Sequence, residues 1–343
     1  MIKLQRRYRD QVVGAGSAAD LFGPLQNAIE LEHSTIPPYL TAALSLKPGH
    51  NQDIAGLIRA ITGQEMLHMC IVCNILIAIG GQPSINHQGF APAYPGSLPM
   101  HIGGDGFEVG IEAFSIPLLK NTFMRIEEPE NPLPIRVAAL SAQDYTTIGA
   151  FYAALQKKIV ELGDGIFKAD SLPRQVLHGR WFPPDQLFAI RGAQDAVRAI
   201  DLIVRQGEGT STEPFEAKGV PAHYYLFGEI AAGRRLVVEP SGFAYAGEAI
   251  PFDADGVYPL KANCKIADFA PGSQAHTRIT RFNYDYNCLL NALHRCFNGE
   301  PDTLDVAIGL MYSLRTDAVA LMQTPVEAGA SLCVGPSFEY MRV

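Results

Sequence analysis

The chain has 343 residues, 48% of them hydrophobic, enough for one large domain or two smaller ones that fold without disulfides. Its 27 basic and 35 acidic residues leave a formal charge of -8 with no lysine or arginine run, which argues against a nucleic-acid partner. Six cysteines are scattered through a large chain with no visible export signal, so reduced thiols and a cytoplasmic location are expected.

The basic start MIKLQRRYRD is not followed by a secretory apolar stretch, because Gly14, Gly16 and Asp20 interrupt it. No uninterrupted apolar run approaches the roughly 20 residues of a bilayer span. A first long helix is expected over residues 18–46, capped by Ser17 or Asp20, with Leu25, Ile29, Glu32, Ile36, Tyr39 and Ala43 along one seam. A second, residues 51–79, carries Ile54, Ile58, Ile61, Glu65, His68, Val72, Ile75 and Ile79 on its seam, and Gly80 and Gly81 end it. Cys70 and Cys73 form a CxxC inside this helix, where they read as small buried hydrophobes rather than a redox or zinc pair. Residues 82–106 read as a long ordered loop, and residues 110–126 as a shorter helix stopped by EEPENPLP. Two further helices are expected at 141–162, with Tyr145 and Tyr152 on its inner face, and at 192–206, with Glu208 on its continuation. His223 opens one more helical segment to residue 230; β-prone runs between glycines and prolines follow, then helices at 277–297 and 303–322.

The chemistry lies in the polar residues that occupy seam positions. Glu65 and His68 sit where a core demands apolar side chains, and an unpaired buried carboxylate is costly. At i and i+3 they share one helix face, the Glu-x-x-His spacing by which di-metal four-helix bundles hold their ions. Glu32 breaks the neighbouring seam in the same way. Glu30 and His33 make a second Glu-x-x-His on a different face and are expected to play a secondary part. Pro37 and Pro38 deprive the carbonyls of His33 and Ser34 of their helical donors and bend the helix one turn past Glu32. Glu208 and His223 are companions that a loop could return to the site, while Glu161 lies off its stripe and His178, His276 and His294 read as structural. The plain alternative is a buried hydrogen-bonded network without metal.

The segments ELEHSTIPPYLTA, QEMLHM with AIGGQP, TIGAFY, LIVRQGEGT, HYYLFGEI and GPSFEY resemble the ferritin-like family that includes a domain of the iminophenyl-pyruvate dimer synthases, enzymes of violacein and indolocarbazole pigment biosynthesis. The resemblance runs over nearly the whole chain. It implies a ferritin-like four-helix bundle, which the helical runs place over 15–232 of a mainly α chain; the β-prone runs and last two helices make 233–343 a C-terminal α+β extension packed on the bundle. It also implies metal ligation by Glu32, Glu65 and His68, with Glu208 and His223 as companions. Where relatives are expected to carry a glutamate between TIG and FY, this chain has Ala150, so no carboxylate comes from that place.

Together these features lead to a metal-dependent oxidoreductase, using iron or alternatively manganese, that turns dioxygen or peroxide on a small, amino-acid- or indole-derived substrate. Tyr39 and Tyr152 are its candidate catalytic residues. A non-catalytic metal-binding protein for storage, sensing or scaffolding is the alternative. The expected partners are a small molecule, neither nucleic acid nor membrane, with homo-oligomerisation left open.

Overall fold

The computed structural model describes residues 4–129, 145–207, 214–216, 219–240 and 242–343. A short strand β1 (Leu4–Gln5) and helix α1 (Arg6–Val13) precede a helical hairpin of α2 (Phe22–Ser45) and α3 (Gln52–Ala78). A broken helix follows, with α4 (Ile116–Leu118) and α5 (Met124–Ile126) joined by a π turn at Leu119–Phe123. Strand β2 (Tyr145–Thr146) leads into α6 (Ile148–Leu162), then come α7 (Ala193–Gly207) and α8 (His223–Ala232). The C-terminal part is a hairpin of β3 (Arg234–Glu239) and β4 (Gly242–Ala249), followed by the long helices α9 (Gln274–Phe297) and α10 (Leu304–Met322). Helices α2, α3, α6 and α7 make a four-helix bundle, α8 packs against α3 and α7, and the α9–α10 hairpin lies against the α2–α3 pair.

The local chemistry explains most boundaries. At the end of α3 the amide of Gly81 bonds the carbonyl of Leu76 and that of Gly80 bonds Ile77, with Gly80 at φ +92°, a conformation that favours glycine. Asp20 does not cap α2: its carboxylate accepts from the Gly16 amide and the Ser17 hydroxyl and folds the preceding loop instead. The helix expected over 110–126 begins only at Ile116, because the amides of Ile111 and Phe114 are taken by the Asn263 and Ser45 side chains. Tyr145 lies on β2, paired with Gln5 of β1, so it is not on a helical face. Thr147 then starts α6 by accepting from the Ala150 amide, while residues 141–144, where that helix was expected to begin, lie outside the described residues.

Pro37 and Pro38 lie inside the continuous helix α2, and the freed carbonyl of Ser34 accepts a hydrogen bond of 2.7 Å from the buried hydroxyl of Tyr94. Asn74, polar in the middle of α3, pairs through its amide with both the N–H and C=O of Val176 and holds the segment after α6 against the bundle. By composition α3 is apolar and long enough to cross a bilayer, yet 78% of its apolar window is buried inside the molecule. Cys70 and Cys73 are buried free thiols, and burial pushes both well above the usual thiol range.

Candidate metal centre

The seams of α2 and α3 face each other, so the side chains that interrupt them meet. Glu32, Glu65 and His68 are all buried, the imidazole with only 1% of its surface exposed. His68 Nδ1 stands 3.4 Å from Glu32 Oε2 and 3.9 Å from Glu65 Oε2. The other oxygen of Glu65, Oε1, lies 2.9 Å from Nδ1 of His223, the first residue of α8, and that nitrogen is 3.4 Å from Glu127 Oε2. Two three-residue groups result, Glu32–Glu65–His68 and Glu65–Glu127–His223, each with ligand atoms close enough to share one ion. Glu65 belongs to both, one oxygen to each. The two imidazoles stack across it with centroids 5.6 Å apart.

The outer edges of the rings decide what the inner edges offer. Gln206 of α7 donates its amide nitrogen to Glu216, which turns its carbonyl oxygen toward His68 Nε2 at 2.9 Å. With Nε2 donating to that oxygen, Nδ1 is the nitrogen that faces the carboxylates, and it offers a lone pair to an ion once its own proton has left. The carbonyl oxygen of Gln64 stands 2.9 Å from His223 Nε2 and does the same there. His223 Nδ1, although near Glu65, lacks the alignment of a hydrogen bond and is an unpartnered buried atom.

A phenol stands at each end. Tyr152 of α6 donates a short hydrogen bond to Glu32 Oε1, and Tyr39 donates to Glu127 Oε1 at 2.5 Å. Burial, with the charges of Glu127 and Glu65, raises the Tyr39 phenol well above its ordinary range. Burial also pushes Glu65 well up, and the charges of Glu127 and Glu32 push it further. Glu32 goes the other way: burial alone would raise it, but the hydrogen bond and charge of His68, with hydrogen bonds from Glu65 and Tyr152, leave it lowered. Burial works against protonation of His68, and Glu32 and Glu65 more than reverse that effect.

This donor set fits a metal. Glu229 shows how the same protein buries a carboxylate for structure, since its oxygens accept from the Leu236 amide and the Arg235 guanidinium at 2.9 Å each. Among the described residues no lysine or arginine pairs with Glu32, Glu65 or Glu127. Three buried carboxylates converge on two imidazole nitrogens, and hard oxygen with imidazole nitrogen is the set that iron and manganese take.

Glu32, Glu65, His68 and His223 thus converge, Tyr39 and Tyr152 touch the cluster through its carboxylates, and Glu208 lies outside the described residues. Sequence reasoning missed Glu127. It follows Phe123 by four positions on a buried stripe with Leu119, the same signal that marked Glu32, but the prolines after it made it look like a helix end. Gln64 and Gln206 carry no such signal, since their partners come from other helices. Glu30 bonds Gln26 and stays out of the cluster, as does His33. His178 stands near Asp305, and His294 bonds Asn298. Beside the cluster, bounded by Ile148, Ile203, Val204 and Gly207, is a space of about 40 Å³.

A family model described as ferritin-like matches residues 25–232, more than half of the chain. Dichlorochromopyrrolate synthase of Lentzea aerocolonigenes is 23% identical over 377 residues, which cover 93% of this chain but 36% of that enzyme. The chain therefore spans about a third of the length of this relative. Among solved structures, a ferritin-like protein from Caulobacter vibrioides is 25% identical with a TM-score of 0.60, over 92% of this chain and 97% of that one.

Proposed function

This chain belongs to the ferritin-like family, and on that premise we propose that it is a metal-dependent oxidoreductase holding two ions, iron or alternatively manganese. Glu32 with His68 would hold one, Glu127 with His223 the other, and Glu65 would serve both. The single observation that carries this reading is the division of Glu65 between two imidazoles whose outer nitrogens are each held by a glutamine oxygen. Bound iron supplies one-electron redox chemistry toward dioxygen or peroxide. The rest is done by the chain: Tyr39 and Tyr152 hold protons at the outer carboxylates, and the apolar wall of Ile148, Ile203 and Val204 keeps bulk water out of the small space beside the cluster. The relative from Lentzea bears the name of a biosynthetic synthase, which makes a small, amino-acid- or indole-derived substrate the leading candidate.

A second reading, a metal-binding protein without turnover, draws its support from that same 40 Å³ space, which is smaller than an organic substrate. Elemental analysis of protein purified without a metal-affinity tag tests the common part. Wild type is expected to carry two ions per chain, His68→Ala and Glu127→Ala one, and Glu65→Ala none. Full wild-type metal content in both Glu65→Ala and His68→Ala overturns the assignment. Oxygen consumption with ferrous iron then separates the readings, because bound iron that is never oxidised leaves only the binding protein.

A further inference from the structure

A strongly apolar cavity lies away from the acidic cluster. It measures about 280 Å³ and lies on the other side of α2 and α3, under the α9–α10 hairpin. Met66 and Met69, beside Glu65 and His68 in sequence, point into it, as does His33, the neighbour of Glu32. Its walls are almost wholly carbon, contributed by methionines and by aromatic rings such as Phe297 and Trp181. One buried polar group stands out. His33 is 4% exposed, its Nε2 meets the Tyr286 hydroxyl at 3.1 Å, and its Nδ1 has no partner. With Nε2 engaged by Tyr286, the buried Nδ1 has room for one more hydrogen bond.

We propose that this cavity is a binding site for a flat, bicyclic aromatic molecule carrying a single hydroxyl or ring N–H, which meets His33 Nδ1. The volume sets the size: a dry, apolar protein cavity of about 150 Å³ accepts a benzene ring, and this one has room for two fused rings. The lining sets the shape and softness, since thioethers and aromatic edges pack against π faces. The orphaned nitrogen sets the polarity, because a buried group with an unmade bond favours the ligand that completes it. The site is separate from the metal centre, and the proposal stands whether or not that centre turns over.

The probe is 2-naphthol, whose hydroxyl both donates and accepts and so suits either tautomer of His33; naphthalene is the control. Calorimetric titration into the full chain should give one saturable site, with 2-naphthol bound roughly five- to tenfold more tightly than naphthalene, the worth of one hydrogen bond. The emission of Trp181, the one tryptophan of the chain, should change in step. Metal-loaded and chelator-treated protein should both bind, which distinguishes this site from the metal centre. Ile308→Phe, folded by circular dichroism, should abolish binding by filling the cavity from α10. His33→Phe should keep naphthalene and lose the preference for 2-naphthol. No saturable binding to wild type, unchanged binding in Ile308→Phe, or a preference that survives His33→Phe overturns the proposal.

Discussion

Glu229 and Glu65 are buried to nearly the same depth, and the difference between them is in their neighbours. One accepts from an amide and a guanidinium; the other faces two more carboxylates and two imidazoles. The first arrangement is complete without help, and the second is the kind that a bound cation would complete, as proposed above. The glutamines behind the imidazoles belong to the same logic, since each fixes which nitrogen is free. Gln206→Leu leaves the outer N–H of His68 without its acceptor and loosens the ring. Affinity for one of the two ions should fall by roughly 10- to 100-fold, measured by competition with a chelator, while the other ion is held as before. An equal loss at both would show that Gln206 acts on the fold and not on one ligand. At this scale the sequence exposed Glu32, Glu65 and His68 because each breaks an apolar period. It hid Gln64 and Gln206, whose meaning depends on helices brought together from elsewhere.

Among the elements, those with a continuous seam were legible and those decided by a neighbour were not. Helices α2, α3, α9 and α10 lie within a few residues of their expected limits. The stretch before α4 was misread because side chains from two other segments claim its amides, and Glu127, although on the stripe of Leu119 and Phe123, was passed over because the prolines after it marked a helix end. The α9–α10 hairpin carries a prediction of its own. Asp285 faces Asp317 across it, with Arg281 nearby, and burial together with the Asp317 carboxyl raises Asp285 from 3.8 to about 6. An acid whose folded-state value is raised contributes stability that is fully present below its unfolded value and lost as pH rises through about 6. The thermal midpoint should therefore fall as pH rises from 3.8 to about 6, by an amount that Asp285→Asn removes. A wild-type and variant difference that does not change with pH would sink this account.

For the whole molecule, the ferritin-like bundle followed by a strand hairpin and two more helices was legible, because long amphipathic runs and glycine-rich interruptions alternate along the chain. The metal reading has a consequence at this scale as well. A site assembled from α2, α3, α8 and the end of α5 exists only in the folded chain, so an ion bound there must raise stability. At a thousand times its dissociation constant, one ion adds about 4 kcal/mol. Thermal melts should show a midpoint that drops on treatment with chelator and climbs with added ferrous or manganous ion, with no response in Glu65→Ala. Identical melts of wild type with chelator and with metal would leave a polar network as the better description.

Glu32 and His33 are consecutive residues on one turn of α2, yet the first looks into an acidic chamber and the second into an oily one. That turn is a partition four residues from a proline pair, where the ladder of backbone bonds is already interrupted. An occupant on either side leans on the same few peptide units. Thermodynamic reciprocity then requires that whatever one does to the hold on the other is returned in equal measure.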